Sequence, residues 1–383
     1  MRLADLRAGR DPMTSPTSLS IALVAPYDLS VAGGVNNQIR AHASALRGLG
    51  HAVRICGPAS GALADGEVAL GRTINVTFGG TESGLGVDPR AFVAVRRMLR
   101  ERFDIVHVHE PFTPLVPWIV LLGARAPLVG TFHVHREDGH RLYAATSWAL
   151  QPLARRLRAR MAVSEAAKRT VEPHFPGRYD IVPNGIDVGR FQTARPRPVR
   201  MAADRRWVLY VGRLEPRKGV DVLIYAMSRV QKRVPEAALL IVGDGSERQR
   251  LERLASATGI SATFAGALPD DDVIACLQAA DIVCSPAIGG ESFGIVLLEA
   301  MAAGKPIVAS RIAGYAELIG DADCARLVPP GEDGSLATEL LALITNEALR
   351  LRLGACGAND VRQYDLDAIA RRLVDIYRRV LAK

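Results

Sequence analysis

The sequence is poor in aromatic residues. Phe, Trp and Tyr make up 5% of its 383 residues, so its cores must be built mainly from Ala, Val, Leu and Ile. Cysteine is scarce too. The five present (Cys56, Cys276, Cys284, Cys324, Cys356) form no CxxC pair and leave one over. That argues against zinc and against a disulfide framework, and for reduced thiols of the cytosol. No apolar run reaches the roughly 18 to 20 residues that cross a bilayer. The longest candidate, Leu115–Gly123, contains Pro117 and is followed by Arg125, so no membrane-spanning helix is expected. The residues up to 19 lack the apolar stretch of a signal peptide; they read as a disordered leader, with Met13 a second candidate start. With 49% hydrophobic and 23% charged residues, the composition excludes a disordered, collagenous or coiled-coil chain.

What is there is a long globular chain with alternating signals. Its length suggests about two domains. Lys and Arg number 48 against 40 acidic residues, a net charge of +8, which favours a polyanionic partner: nucleotide phosphate, anionic lipid or nucleic acid. Short apolar runs at 21–25, 51–56, 104–109, 128–132 and 160–163 read as buried parallel strands, with helices at 36–49 and 89–100 between them. An Arg- and Pro-rich stretch, 193–206, breaks the pattern and reads as a linker. The rhythm restarts with strands at 207–211, 238–242, 261–264, 282–285 and 306–310. The helices of this half fall at 220–234, 246–258, 270–279, 294–303 and 366–381. The expected fold is α/β, two doubly wound domains facing a cleft, with ligands at the carboxyl ends of the strands.

Four motifs carry chemistry. Glu291 and Glu299 flank Ser292–Phe293–Gly294–Ile295 at a helix start; unpaired amides there suit oxygen ligands, and Glu299 lies far enough into the helix to reach hydroxyls. Arg213 and Lys218 follow the first strand of the second half, where a guanidinium and an ammonium suit a diphosphate. Gly33 and Gly34 let a backbone approach phosphate or sugar, without forming a GxGxxG. His133 ends a first-half strand and can hydrogen-bond a ligand hydroxyl. Standing alone, each has a plain structural reading: a capped surface helix, a basic loop, a tight turn, a structural histidine.

Taken in order, these residues resemble the retaining glycosyltransferases of family 4, with the GT-B fold. Further markers are His109–Glu110–Pro111, Val163–Ser164, Pro183–Asn184–Gly185–Ile186–Asp187 and Gly243–Asp244–Gly245. The stretches His107–Pro111 and Gly289–Val296 are closest to the actinobacterial branch that mannosylates phosphatidylinositol. The resemblance implies hexose transfer with retention, mannose from GDP-mannose, to a lipid-linked acceptor at the cytosolic membrane face. It implies Arg213 and Lys218 on the donor diphosphate, and Glu291 with the Phe293–Gly294 amides on the sugar hydroxyls. It places Glu299 on the ribose, Gly34 against the diphosphate and His133 at the donor sugar beside the acceptor. No cofactor and no metal are required in that scheme. It divides the chain into a leader (1–19), an acceptor domain (20–192, with helix 366–383 packing back), a linker (193–206) and a sugar-nucleotide domain (207–365). The linker and the segment before the last helix are then the expected hinges.

The resemblance departs after His133, where Val134–Arg141 replaces a Ser/Thr/Lys-rich stretch; this bears on the acceptor. The segment Pro89–Phe103 joins Arg90, Arg96, Arg97 and Arg100 to Phe92, Val93 and Met98, the make-up of an interfacial helix on anionic lipid or of an ordinary sheet-covering helix. The alternative enzyme is a soluble family 4 transferase using a UDP-sugar with a small-molecule or glycan acceptor. A non-catalytic basic binding module is the reading from another class, and no nucleic-acid motif supports it.

Overall fold

The structure, a computed structural model, describes residues 18–31, 33–78, 81–86, 88–136, 140–320 and 322–383. The first half contains strands β1 (Ser20–Val24), β2 (Ala52–Gly57), β3 (Glu67–Ala69), β4 (Thr73–Phe78), β5 (Thr81–Gly86), β6 (Ile105–His109), β7 (Leu128–Phe132), β8 (Leu157–Ala162) and β9 (Asp180–Ile181). Its helices are α1 (Gly34–Gly48), α2 (Ala91–Met98), α3 (Val116–Gly123), α4 (Arg141–Arg156), α5 (Glu165–Val171) and α6 (Val188–Gln192). The second half contains β10 (Arg206–Val211), β11 (Ala237–Val242), β12 (Ala262–Gly266), β13 (Ile282–Ser285), β14 (Ile307–Ser310) and β15 (Ala325–Val328). Helices α7 (Val220–Gln231), α8 (Arg248–Thr258), α9 (Asp270–Ala279), α10 (Ile295–Ala302), α11 (Ala313–Ile319), α12 (Asp333–Thr345), α13 (Glu347–Asp360) and α14 (Leu366–Leu381) complete it.

Two parallel sheets organise these elements. One has seven strands in the order β3-β2-β1-β6-β7-β8-β9, the other six in the order β12-β11-β10-β13-β14-β15; β4 and β5 form a separate antiparallel pair. Central strands are buried throughout because helices cover both faces: every residue of β6, β7 and β11 is buried. On the first sheet, α1 and α14 pack one face through Ile39, Leu46, Leu373 and Tyr377. Helices α2, α3 and α4 pack the other through Val95, Val120 and Leu153. On the second sheet, α7, α8 and α12 lie opposite α9, α10 and α11. The chain is thus two Rossmann-like domains, as expected.

The leader lies outside the described residues up to 17, but Ser18 and Leu19 belong to the first domain. Leu19 is buried, its amide bonds the His51 ring, and the Ser18 hydroxyl bonds Gly50. The stretch 193–206 is irregular yet anchored to the second domain. The Arg195 amide bonds Gln278, the Arg197 guanidinium bonds Ala279 O, and Met201 is buried. The change from one domain's contacts to the other's comes earlier, at 185–186. Gly185 exchanges two hydrogen bonds with the Gln38 side chain on α1, whereas Ile186 already belongs to the second core. Ile186 also meets the returning chain, exchanging backbone bonds with Tyr364 and Leu366. The two crossing strands of chain touch at 185–186 and 364–366, just before α14 re-enters the first domain.

Candidate active site

The loop from β10 to α7 carries a row of alternating charges. Arg213 pairs with Glu215 at 2.7 Å, and Arg217 reaches the other Glu215 oxygen at 3.0 Å. Arg217 also donates to the Glu291 carboxylate and to Gly290 O, and the Lys218 ammonium lies 2.8 Å from the same Glu291 oxygen. The result is one ionic chain: Arg213, Glu215, Arg217, Glu291, Lys218. Gly219 makes the approach possible. It sits at φ 64°, and a Cβ there would lie 2.2 Å from Pro286 O, so only glycine lets this loop press against the segment after β13. The Ile288 amide bonds Arg217 O and fixes that contact.

Glu291 and Glu299 live in different electrostatics. Burial alone would raise the Glu291 carboxyl, but Lys218 and Arg217 more than offset it and hold it below the usual range. The Glu299 carboxyl, on α10, is pushed up to about 7 by burial and by Asp270, with Arg190 opposing. One carboxylate is therefore held ionised by cations, while the other changes charge near neutral pH. Between them, Gly294 takes φ 102° at the start of α10, and no side chain caps that helix. Its first-turn amides keep their capacity for oxygen ligands.

The first domain supplies the opposite wall. Gly33 and Gly34 open α1, which also has no side-chain cap. A Cβ on Gly33 would meet nothing within 4 Å, and one on Gly34 would stand 3.9 Å from the Ile295 side chain. The first turns of two uncapped helices therefore lie close together, and the positive end of a helix dipole favours an anion. The walls are tied together. Ser164 caps α5 and donates to Ser292 O at 2.6 Å, and Glu317 of α11 accepts from the Glu165 and Ala166 amides at 2.5 and 3.0 Å. The two domains are thus in direct contact through α5 and the loop before α10 and through α11.

His133 is buried at the end of β7. Its Nε2 lies 2.8 Å from His109 Nδ1, and burial, helped by His42, lowers its pKa to about 3, so the ring is neutral. The structure thus joins Lys218 to Glu291 and brings Gly34 to Ile295. Glu299 sits apart, near Asp270 and Arg190, and His133 belongs to a histidine cluster of the first domain. Arg90, Arg96, Arg97 and Arg100 lie on or beside α2, in the outer helix layer. Glu215 and Arg217 were not foreseen, although the run Arg213-x-Glu215-x-Arg217-Lys218 is itself a signal: a carboxylate set between cations. Nothing in the sequence flagged Glu317. Ala32 and residues 137–139 of the divergent stretch lie outside the described residues.

Residues 32–190 match the model of Glycosyltransferase Family 4, and residues 192–360 that of Glycosyl transferases group 1. A phosphatidyl-myo-inositol mannosyltransferase of Mycobacterium leprae (strain TN) is 36% identical over 366 residues, covering 94% of this chain and 97% of the relative. The chain is a family 4 glycosyltransferase. The Propionibacterium freudenreichii protein of the same name is 30% identical, with 94% of each chain covered. A Corynebacterium aurimucosum D-inositol 3-phosphate glycosyltransferase is 28% identical over 98% of this chain and 96% of its own. Among solved structures, the Anabaena Alr3699/HepE complex with UDP and glucose superposes with a TM-score of 0.77 at 22% identity, covering 94% of this chain and all of that one. WaaG, a glycosyltransferase of lipopolysaccharide biosynthesis, gives 0.69 at 23%, with 93% and 99% covered. Both likenesses concern the fold, and they make this glycosyltransferase GT-B.

Proposed function

We propose that this glycosyltransferase moves mannose from GDP-mannose, with retention, to phosphatidylinositol or a related lipid-linked acceptor at the cytosolic membrane face. The relatives named above support the sugar and the acceptor class. In this reading Arg213 and Lys218 hold the donor diphosphate between the two helix N-termini. They take the charge that develops on the departing nucleotide, a part played in other sites by a metal ion. Glu291 accepts hydrogen bonds from the sugar hydroxyls, the Ser292–Ile295 backbone amides donate to their oxygens, and ionised Glu299 accepts from the ribose. His133 contacts the sugar from the first domain. The acceptor hydroxyl attacks the anomeric carbon on the face the phosphate leaves. The C1–O bond to phosphate breaks as the new C1–O bond forms, and the hydroxyl proton passes to the leaving phosphate oxygen.

One observation carries the lipid half. Helices α2, α3 and α4 cover the same sheet face, and their outer side leaves large apolar groups in solvent. Phe92 is 52% exposed, Val93 70%, Leu122 67% and Trp148 79%. Arg96, Arg97 and Arg100 are exposed among them, with the Arg96 guanidinium 5.5 Å from the centre of the Phe92 ring. Apolar groups interleaved with arginine suit the interface of an anionic bilayer. Among the described residues no helix is long and apolar enough to cross a membrane, so attachment in this reading is peripheral. The divergent Val134–Arg141 stretch favours a second reading, a UDP-sugar with a soluble acceptor. A thermal-shift panel of GDP- and UDP-sugars separates them, since the cognate donor raises the unfolding temperature by mass action. Stabilisation by GDP-mannose is expected; stabilisation by UDP-sugars alone would move the second reading ahead.

A further inference from the structure

The end of β6 acts on the end of β7. Strands β6 and β7 are paired with His109 opposite Thr131, and the Glu110 amide continues the ladder to Thr131 O at 2.8 Å. Glu110 then turns sharply, with φ 43°, in the left-handed region that residues other than glycine seldom occupy. That turn folds its carboxylate under the neighbouring strand end. One carboxylate oxygen accepts from both the His133 and Val134 amides, the latter at 2.8 Å. The preceding residue takes hold of the ring: His109 Nδ1 lies 2.8 Å from His133 Nε2, with both imidazoles buried. Two consecutive residues thus pin the main chain and the side chain of His133.

The geometry also selects a tautomer. Burial keeps both rings neutral, so each carries one N–H. His109 Nε2 is buried and has no partner among the described residues. A buried lone pair without a partner is tolerated better than a buried N–H without one. The His109 proton therefore belongs on Nδ1, where it is donated to His133 Nε2. His133 must then carry its own proton on Nδ1, the one ring nitrogen not engaged by His109.

We propose that His109 and Glu110 are positioning residues that present His133 to the donor sugar as a fixed Nδ1–H donor. The proposal rests on the reading of His133 as a sugar contact. Glu110 holds the strand end at the right depth, and His109 sets the ring plane and the proton. Neither need touch substrate. Displacing a contact group by about 1 Å can cost on the order of 100-fold in rate. His109→Phe, which keeps a ring but removes the bond, is expected to lower kcat about 10- to 100-fold while GDP affinity stays within about threefold. Glu110→Gln keeps an oxygen that accepts both amides and is expected to stay near the parent, whereas Glu110→Ala should behave like His109→Phe.

The test is a double-mutant cycle with His133→Ala, read by kcat, donor KM and GDP binding by calorimetry, beside 15N NMR of the histidine rings in the parent. If His109 acts through His133, His109→Phe adds nothing on the His133→Ala background. The NMR spectrum should show His133 protonated at Nδ1. If His133→Ala leaves turnover unchanged, the sugar-contact reading falls and the proposal falls with it. If His133→Ala slows turnover but the His109→Phe loss adds in full on that background, the sugar contact stands and positioning is overturned. Should His109→Phe not fold, the parent spectrum still decides: a His133 protonated at Nε2 refutes the tautomer and the proposal.

Discussion

Lys218→Ala should separate catalysis from stability. The Lys218 ammonium lies 2.8 Å from Glu291, and both side chains are 16% exposed. Removing it does not leave that carboxylate alone, because Arg217 still donates to the same oxygen. The stability loss is then that of one partly screened ion pair, about 1 kcal/mol or less, or no more than about 4 °C in unfolding temperature for a domain of this size. The catalytic loss is larger. The ammonium is one of two cations assigned to the departing diphosphate, and removing such a preorganised contact costs about 2–4 kcal/mol of transition-state stabilisation. At 1.36 kcal/mol per decade that is roughly a 30- to 900-fold fall in kcat/KM. Arg217→Ala makes the contrast. That guanidinium holds Glu215, Glu291 and Gly290 O together, so its loss should cost about 2 kcal/mol or more in stability. Steady-state kinetics and thermal unfolding of both variants provide the comparison. A Lys218→Ala enzyme within threefold of the parent, or one destabilised more than Arg217→Ala, would refute the reasoning.

Three further outcomes are expected. Burial and Asp270 push the Glu299 carboxyl up to about 7, so it gains its charge as pH rises through that value, and only the carboxylate can accept from two ribose hydroxyls through both oxygens; donor affinity should therefore rise from pH 6 to 8, and a Glu299→Gln enzyme that keeps the same rise would contradict the assignment. Glu317→Ala removes the carboxylate that bonds the α5 amides across the cleft, so small-angle scattering should find a larger radius of gyration than the parent without nucleotide, and an unchanged radius counts against the clasp. Changing Arg96, Arg97 and Arg100 together to Ser should weaken binding to anionic vesicles by up to roughly 3 kcal/mol, more at low salt, while leaving GDP binding intact; cosedimentation equal to the parent would remove the lipid-surface reading.

Much of the fold was legible because parallel strands buried on both faces are short apolar runs. Helices at 270–279 and 366–381 fall where α9 and α14 do, since the last helix alternates buried Ile369, Leu373 and Tyr377 with exposed arginines. Strand β8 begins three residues before its expected start because Arg158 and Arg160 interrupt the apolar signal; the Arg160 guanidinium bonds Phe175 and Pro176 carbonyls. The edge strands β3 and β9, three and two residues long, bury too little to leave a pattern. In the site, single residues were readable and their partners were not. Arg217 and Glu291 are 74 positions apart, and their union follows from the Gly219 turn against Pro286, a long-range fit with no local signature. The docking of 193–206 was hidden for a related reason: an Arg- and Pro-rich segment looks like a free linker, but Arg195 and Arg197 find partners on the second domain.

Transfer itself tests the central claim most directly. The enzyme would be incubated with GDP-mannose labelled in the sugar and vesicles containing phosphatidylinositol, and the organic extract examined for label and for the anomeric configuration of the new linkage. The account predicts labelled lipid carrying an α-linked mannose. Label that stays in the aqueous phase, with a UDP-sugar instead giving a soluble glycoside, would contradict it.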